Sequence, residues 1–201
     1  MWSLLYFFLI MKFYKHCLFL LLDGARPDVM GFLLNDGKLP NVYDIFVRNG
    51  LFTRATTVFP STTGAAYLPY LTGFFPGHCN IPGIRWFDRK EYASGWKFNF
   101  RQFRSYVGVE SYFFNSDLPA HIKTLFEYAR RPVNIYNTMS RGCGRGDRSR
   151  YQKSMVVLYA HFTHHWQFVD RWVSKETRKA LQQKPDILFA AFPAVDEISH
   201  R

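Results

Sequence analysis

The sequence predicts an α/β fold, a mostly parallel sheet flanked by helices. Two apolar runs carry most of that expectation. Cys17-Leu18-Phe19-Leu20-Leu21-Leu22 ends abruptly at Asp23-Gly24, and Ile187-Leu188-Phe189-Ala190-Ala191-Phe192 leads to Asp196. Continuous apolar runs of this length read as strands buried on both faces, the pattern of parallel sheets. The third observation is the order strand, helices, strand, helix between Cys17 and Thr72, which favours layered α/β packing. In open sheets of this kind ligands gather beyond the carboxyl ends of the strands, so Asp23 and Asp196 stand where a site is expected.

The chain begins with an apolar stretch at residues 2–11 that is too short to span a bilayer. It has no basic region ahead of it and no small-residue cleavage site before Lys12, Lys15 and His16. Residues 1–16 are read as an N-terminal extension, with 1–10 a misassigned start ahead of Met11; the alternative is a membrane-associated N-terminus. Cys17, Cys79 and Cys143 are odd in number and lack paired spacing, which favours a reducing, cytoplasmic compartment over a disulfide framework or a zinc knuckle. Cys17 itself reads as a small core residue.

After the first strand, Arg26-Pro27-Asp28 turns the chain into an amphipathic segment from Val29 to Leu34. A second helix begins at Leu39-Pro40 and is closed by Gly50. Thr53 to Phe59 reads as a strand leading into Pro60-Ser61-Thr62-Thr63-Gly64, where hydroxyls stand just ahead of small residues and the apolar stretch from Ala65. That pattern places an oxygen nucleophile at a helix start, where unpaired N–H groups attract anions. Taken alone, such a cluster is more often a plain N-cap, because Ser and Thr are favoured caps for structural reasons.

Residues 74–89 are turn-rich and aromatic. Residues 89–154 hold Arg101, Arg104, Arg130, Arg131, Arg141, Arg145, Arg148 and Arg150 and read as a cap or insertion, because loops on α/β scaffolds carry specificity. Within them Lys123–Arg130 reads as a helix and Pro132–Asn137 as a strand. An apolar element at 154–162 and a surface helix at 171–181 lead to the last strand. Nearby His161, His164 and His165 have no carboxylate partner fixed by spacing and are left out of any metal site.

The motifs acquire meaning together. Asp23 at a strand end, the Thr63 turn, Leu71-Thr72-Gly73-Phe74-Phe75-Pro76-Gly77-His78, and Asp196-Glu197-Ile198-Ser199-His200 resemble the type I phosphodiesterase and nucleotide pyrophosphatase family of the alkaline phosphatase superfamily. The resemblance runs from about Cys17 to the end of the chain and is strongest at 17–88 and 185–200. It implies an alkaline-phosphatase-like sheet, with Thr63, nine residues before Thr72, as catalytic nucleophile. It implies two divalent ions, zinc by preference, one held by Asp23 and Thr63 and the other by Asp196 and His200. A segment over the site often supplies an Asn to the phosphate; that position holds Ile84 here, leaving Arg85, whose guanidinium pairs two phosphate oxygens, and Asn80 as substrate-binding candidates.

The chemistry so implied is metal-dependent hydrolysis of a small phosphodiester or nucleotide pyrophosphate through a covalent threonine intermediate, because a bound ion favours the alkoxide of an otherwise poor nucleophile. Phosphomonoesterases, sulfatases and phosphomutases of the same superfamily are the enzyme alternatives. A formal charge of +11 also admits a non-catalytic basic binding protein, although charge alone specifies no nucleic acid. The oligomeric state is left open. The family pattern further includes a later Asp-His pair and another His. The 17–201 segment is therefore expected to be the N-terminal portion of a catalytic domain, truncated at its C-terminus and inactive or nearly so by itself.

Overall fold

The computed structural model describes residues 15–94, 100–147 and 152–200. The expected N-terminal extension falls mostly outside these residues. Strands β1 (Cys17–Leu22), β4 (Pro132–Ile135) and β5 (Ile187–Phe192) form a three-stranded sheet in the order β1-β5-β4. Every pairing in it is parallel, with Cys17 opposite Ile187, Leu22 opposite Phe192 and Ile135 opposite Ala190. The α/β expectation with a mostly parallel sheet holds.

Alternation along the strands divides the core into two layers. Phe189 and Ala191, with Phe19 and Leu21, face one cluster with Tyr67, Leu68, Leu71, Phe114, Ile122 and Phe126. Leu188 and Ala190, with Leu20, face the other, which holds Val133, Ile135, Trp166, Val169, Val173 and Ala180. Helix α4 (Trp166–Leu181) supplies most of the second layer: Trp166, Val169, Val173 and Ala180 recur at helical spacing, while Arg171, Lys175 and Arg178 face water. Ahead of it runs α3 (Gln152–Thr163). Helix α1 (Pro27–Asn35) follows β1 with Pro27 in its first turn, where a missing N–H costs nothing.

Three local expectations give way. Thr53–Phe59 forms no strand, and residues 51–57 lie exposed. Thr, Arg and Ala dominate them, leaving too little apolar surface to hold the segment against β1. β1 is consequently an edge strand, with Leu18 43% and Leu22 48% exposed, so it is not buried on both sides. Cys17, at its start, is exposed and free, not a core residue.

Residues 89–154 contribute to both core layers. β4 belongs to the main sheet, and β3 (Phe103–Ser105) pairs antiparallel with β2 (Arg85–Phe87). That small ribbon is pinned by Arg104, whose Nη1 donates to Asp117 Oδ1 at 2.7 Å and whose Nη2 donates to Asp88 Oδ2 at 3.2 Å. Arg101 also pairs with Asp117, and Arg131 and Arg141 pair with Asp186 and Glu127. Much of the basic character of this stretch is thus engaged internally.

Arg104→Ala would leave enclosed Asp88 without its guanidinium partner and Asp117 with that of Arg101 alone, so it is expected to lower stability by about 3 kcal/mol. Arg48→Ala, at the exposed pair with Asp44, is expected to leave the urea midpoint essentially unchanged. Urea unfolding followed by circular dichroism distinguishes the two.

Candidate functional site

The site is assembled by the ends of β1 and β5. Their ladder continues one residue further, the Asp23 N–H donating to the Phe192 carbonyl at 3.0 Å, so the Asp23 side chain emerges where β5 gives way to α5 (Ala194–Ser199). Gly24 makes this closeness possible. It sits at φ +74°, and a Cβ there would lie 2.6 Å from the Asp196 Cα, inside any van der Waals limit. Only glycine combines that backbone angle with that approach.

Thr63 enters from the other side. The chain after Gly64 winds into a tight turn at Ala65–Tyr67 and then α2 (Leu68–Thr72), anchored by Leu68 and Leu71 in the core. This brings the Thr63 hydroxyl to Asp23, donating from Oγ1 to Oδ2 at 3.1 Å. One helical turn later the Tyr67 phenol donates to the same Oδ2 at 2.8 Å. Sequence reasoning missed Tyr67; its signal was a tyrosine at i+4 from the hydroxyl on a helical segment.

Asp196 and His200 also meet, with Nε2 3.4 Å from Oδ1, and both lie on one face of the α5 turn. Burial, and then the negative charge of Asp23, raise the Asp196 carboxyl above its usual range, while His200 opposes that shift. Behind them, half-buried Asp170 accepts a hydrogen bond from the Ala194 N–H at 3.2 Å. Burial raises its carboxyl too.

Four of the sequence candidates, Asp23, Thr63, Asp196 and His200, are therefore gathered at the carboxyl edge of the sheet. The remaining two are placed differently. Arg85 lies exposed on β2, and Asn80 lies exposed with φ +54°. Among the described residues, neither makes a hydrogen bond to the other four. Ile84 explains its own departure from the expected Asn: its side chain packs on the core and its carbonyl accepts from the Tyr106 N–H at 3.0 Å.

The donors suit a divalent cation in type, since carboxylate and imidazole are ordinary zinc ligands and a cation relieves the mutual repulsion of Asp23 and Asp196. They fall short in number: among the described residues no three His, Cys, Asp or Glu side chains converge as a metal site. No helix among these residues is long and apolar enough to cross a membrane.

At the carboxyl edge of the sheet, then, a strand-end carboxylate receives the hydrogen of a hydroxyl at a helix start, beside an Asp-His pair. Residues 17–201 match the family model for type I phosphodiesterase / nucleotide pyrophosphatase, and the chain belongs to that family. The family is generally hydrolytic and typically metal-dependent, and it acts on small phosphodiester or nucleotide substrates. No curated protein and no solved structure is significantly similar to the chain.

Gly24→Ala is expected to push α5 away from the end of β1 and to cost about 1–3 kcal/mol. Gly37→Ala is the control: its φ is +68° but nothing stands within 4 Å of the added methyl, so it is expected to cost clearly less. Denaturant titration of both variants measures the difference.

Proposed function

We propose that this chain carries the nucleophilic half of a metal-dependent phosphodiester or nucleotide pyrophosphate hydrolysis site, with Thr63 as nucleophile. The observation that supports the reading best is the 3.1 Å hydrogen bond from Thr63 Oγ1 to Asp23 Oδ2 at the carboxyl edge of the sheet. It points the Thr63 proton at a carboxylate and leaves the oxygen lone pairs turned away from it. Thr63 Oγ1 attacks phosphorus, forming the O–P bond as the bond to the leaving oxygen breaks, and Asp23 Oδ2 is the nearest acceptor for the proton. Water then hydrolyses the phosphorylated or nucleotidylated threonine.

Two divalent ions, zinc by the character of the donors, would be held by Asp23 with Thr63 and by Asp196 with His200. Bound there, they would supply positive charge that stabilises the attacking and leaving oxygens. Arg85 and Asn80 are the proposed contacts for phosphate oxygens. The donors number two per ion where zinc takes three or four, so weak metal binding and low turnover are proposed for this chain alone. A purely basic binding module is less favoured, because Arg101, Arg104, Arg131 and Arg141 are engaged with Asp117, Asp88, Asp186 and Glu127.

The test is hydrolysis of a chromogenic phosphodiester with added zinc. Whatever turnover the chain shows is expected to vanish in Thr63→Ala and after chelation by EDTA, while Ser61→Ala and Thr62→Ala retain most of it. Equal losses from all three substitutions would remove Thr63 from the nucleophile's role.

A further inference from the structure

We propose that Tyr67 is a positioning residue for Asp23, fixing which carboxylate oxygen serves Thr63 and which is left for another partner. The inference rests on the reading of Asp23 as a metal ligand.

Tyr67 is 7% exposed, and its ring packs against Phe189 with centroids 6.2 Å apart, so its direction is set by the core. A buried phenol normally finds a partner for its O–H, and this one donates to Asp23 Oδ2 at 2.8 Å. Thr63 donates to that same oxygen at 3.1 Å. Two donors satisfy the lone pairs of Oδ2, and among the described residues Oδ1 accepts no hydrogen bond. The two oxygens of one carboxylate are thereby made unequal, with Oδ2 engaged by two hydroxyls and Oδ1 left for another partner.

The two donors differ in what they can do next. Thr63 is exposed, and its donated hydrogen is the proton it gives up to Asp23 as Oγ1 bonds phosphorus. Tyr67 is held in the core and keeps its phenol proton. Once Thr63 no longer donates, Oδ2 keeps one rigid donor, and the orientation of Asp23 does not depend on the state of the nucleophile. Partners of this outer kind typically change metal affinity about 10–100-fold when removed.

The test uses the whole 201-residue chain and two probes, zinc in competition with a chromophoric chelator and the visible absorption of bound Co2+. Tyr67→Phe keeps the ring and removes only the hydroxyl; it is expected to weaken zinc binding about tenfold and to alter the Co2+ spectrum. Tyr70→Phe, on the exposed side of the same helical segment, is expected to change neither. In an Asp23→Asn background, Tyr67→Phe is expected to have no further effect. If Asp23→Asn weakens zinc binding and Tyr67→Phe does not, Tyr67 is a packing residue and the inference is overturned while the metal reading stands. An undiminished effect of Tyr67→Phe in the Asp23→Asn background also overturns it, since the loss then comes from general loosening. If neither Asp23→Asn nor Tyr67→Phe changes zinc binding, the metal reading and the inference fall together.

Discussion

The register between β1 and β5 is the constraint on which the site depends. Six residue pairs align Cys17–Leu22 with Ile187–Phe192, and the next hydrogen bond, Asp23 N–H to the Phe192 carbonyl, ends the ladder. Parallel strands started in step must end in step, so a carboxylate one residue past β1 and a helical turn just past β5 arrive at the same place. A slip of one residue would turn every side chain of β1 to the opposite face and bury Phe19 and Leu21 on the wrong side. The apolar layers that hold the sheet together therefore also hold Asp23 against Asp196, and Gly24 supplies the missing volume that lets the two approach.

Charge is distributed unevenly over the molecule in a way that bears on the chemistry. The chain carries a formal charge of +11, yet Asp23, Asp170, Asp196 and Glu197 cluster near the strand ends. Tyr136, just past β4 at φ +57°, feels three of those charges; burial and then Glu197, Asp170 and Asp23 raise its phenol above the usual range. The cations sit elsewhere, several locked to their own carboxylates. An anionic phosphodiester approaching Thr63 thus comes close to these carboxylates. Positive charge beside them would favour the approach of Oγ1 to phosphorus, which supports metal dependence in the proposed reaction.

The sheet and the motif residues were legible because they obey short rules. Leu18–Leu22 and Ile187–Phe192 are apolar enough to have one reading, and their carboxyl ends are where Asp23 and Asp196 were expected. The Thr63 turn was legible through its hydroxyls and the small residues after them. Thr53–Phe59 was not, because its composition suits a strand only if a neighbour covers it, and here nothing does. The internal use of Arg104 was hidden as well: the sequence shows a basic stretch, whereas Asp88 and Asp117 lie 16 and 13 residues away and meet Arg104 only through the β2–β3 ribbon. Tyr67 was obscured by company, one aromatic ring among 12 Tyr and 21 Phe, most of them with packing roles. Its phenol matters through a partner 44 residues away, and the i+4 spacing from Thr63 places the ring on the same side as that hydroxyl without naming Asp23 as the acceptor.

The shortage of metal donors has a consequence for how substrate and metal would bind. The residues outside the description contain no His, Cys, Asp or Glu, so the protein side chains available to an ion at Asp23 or at Asp196 are those already placed. Coordination has to be completed by oxygens from water, from the substrate, or from donors beyond this chain. Where substrate oxygens take those positions, each ligand raises the affinity of the other by the same factor, because linkage is reciprocal. A phosphodiester would then recruit the ions as much as the ions recruit it. In that arrangement the rigidity of Asp23 would carry unusual weight, since it would have to present Oδ1 correctly before most of the coordination exists, and of its two hydroxyl donors among the described residues Tyr67 is the buried one.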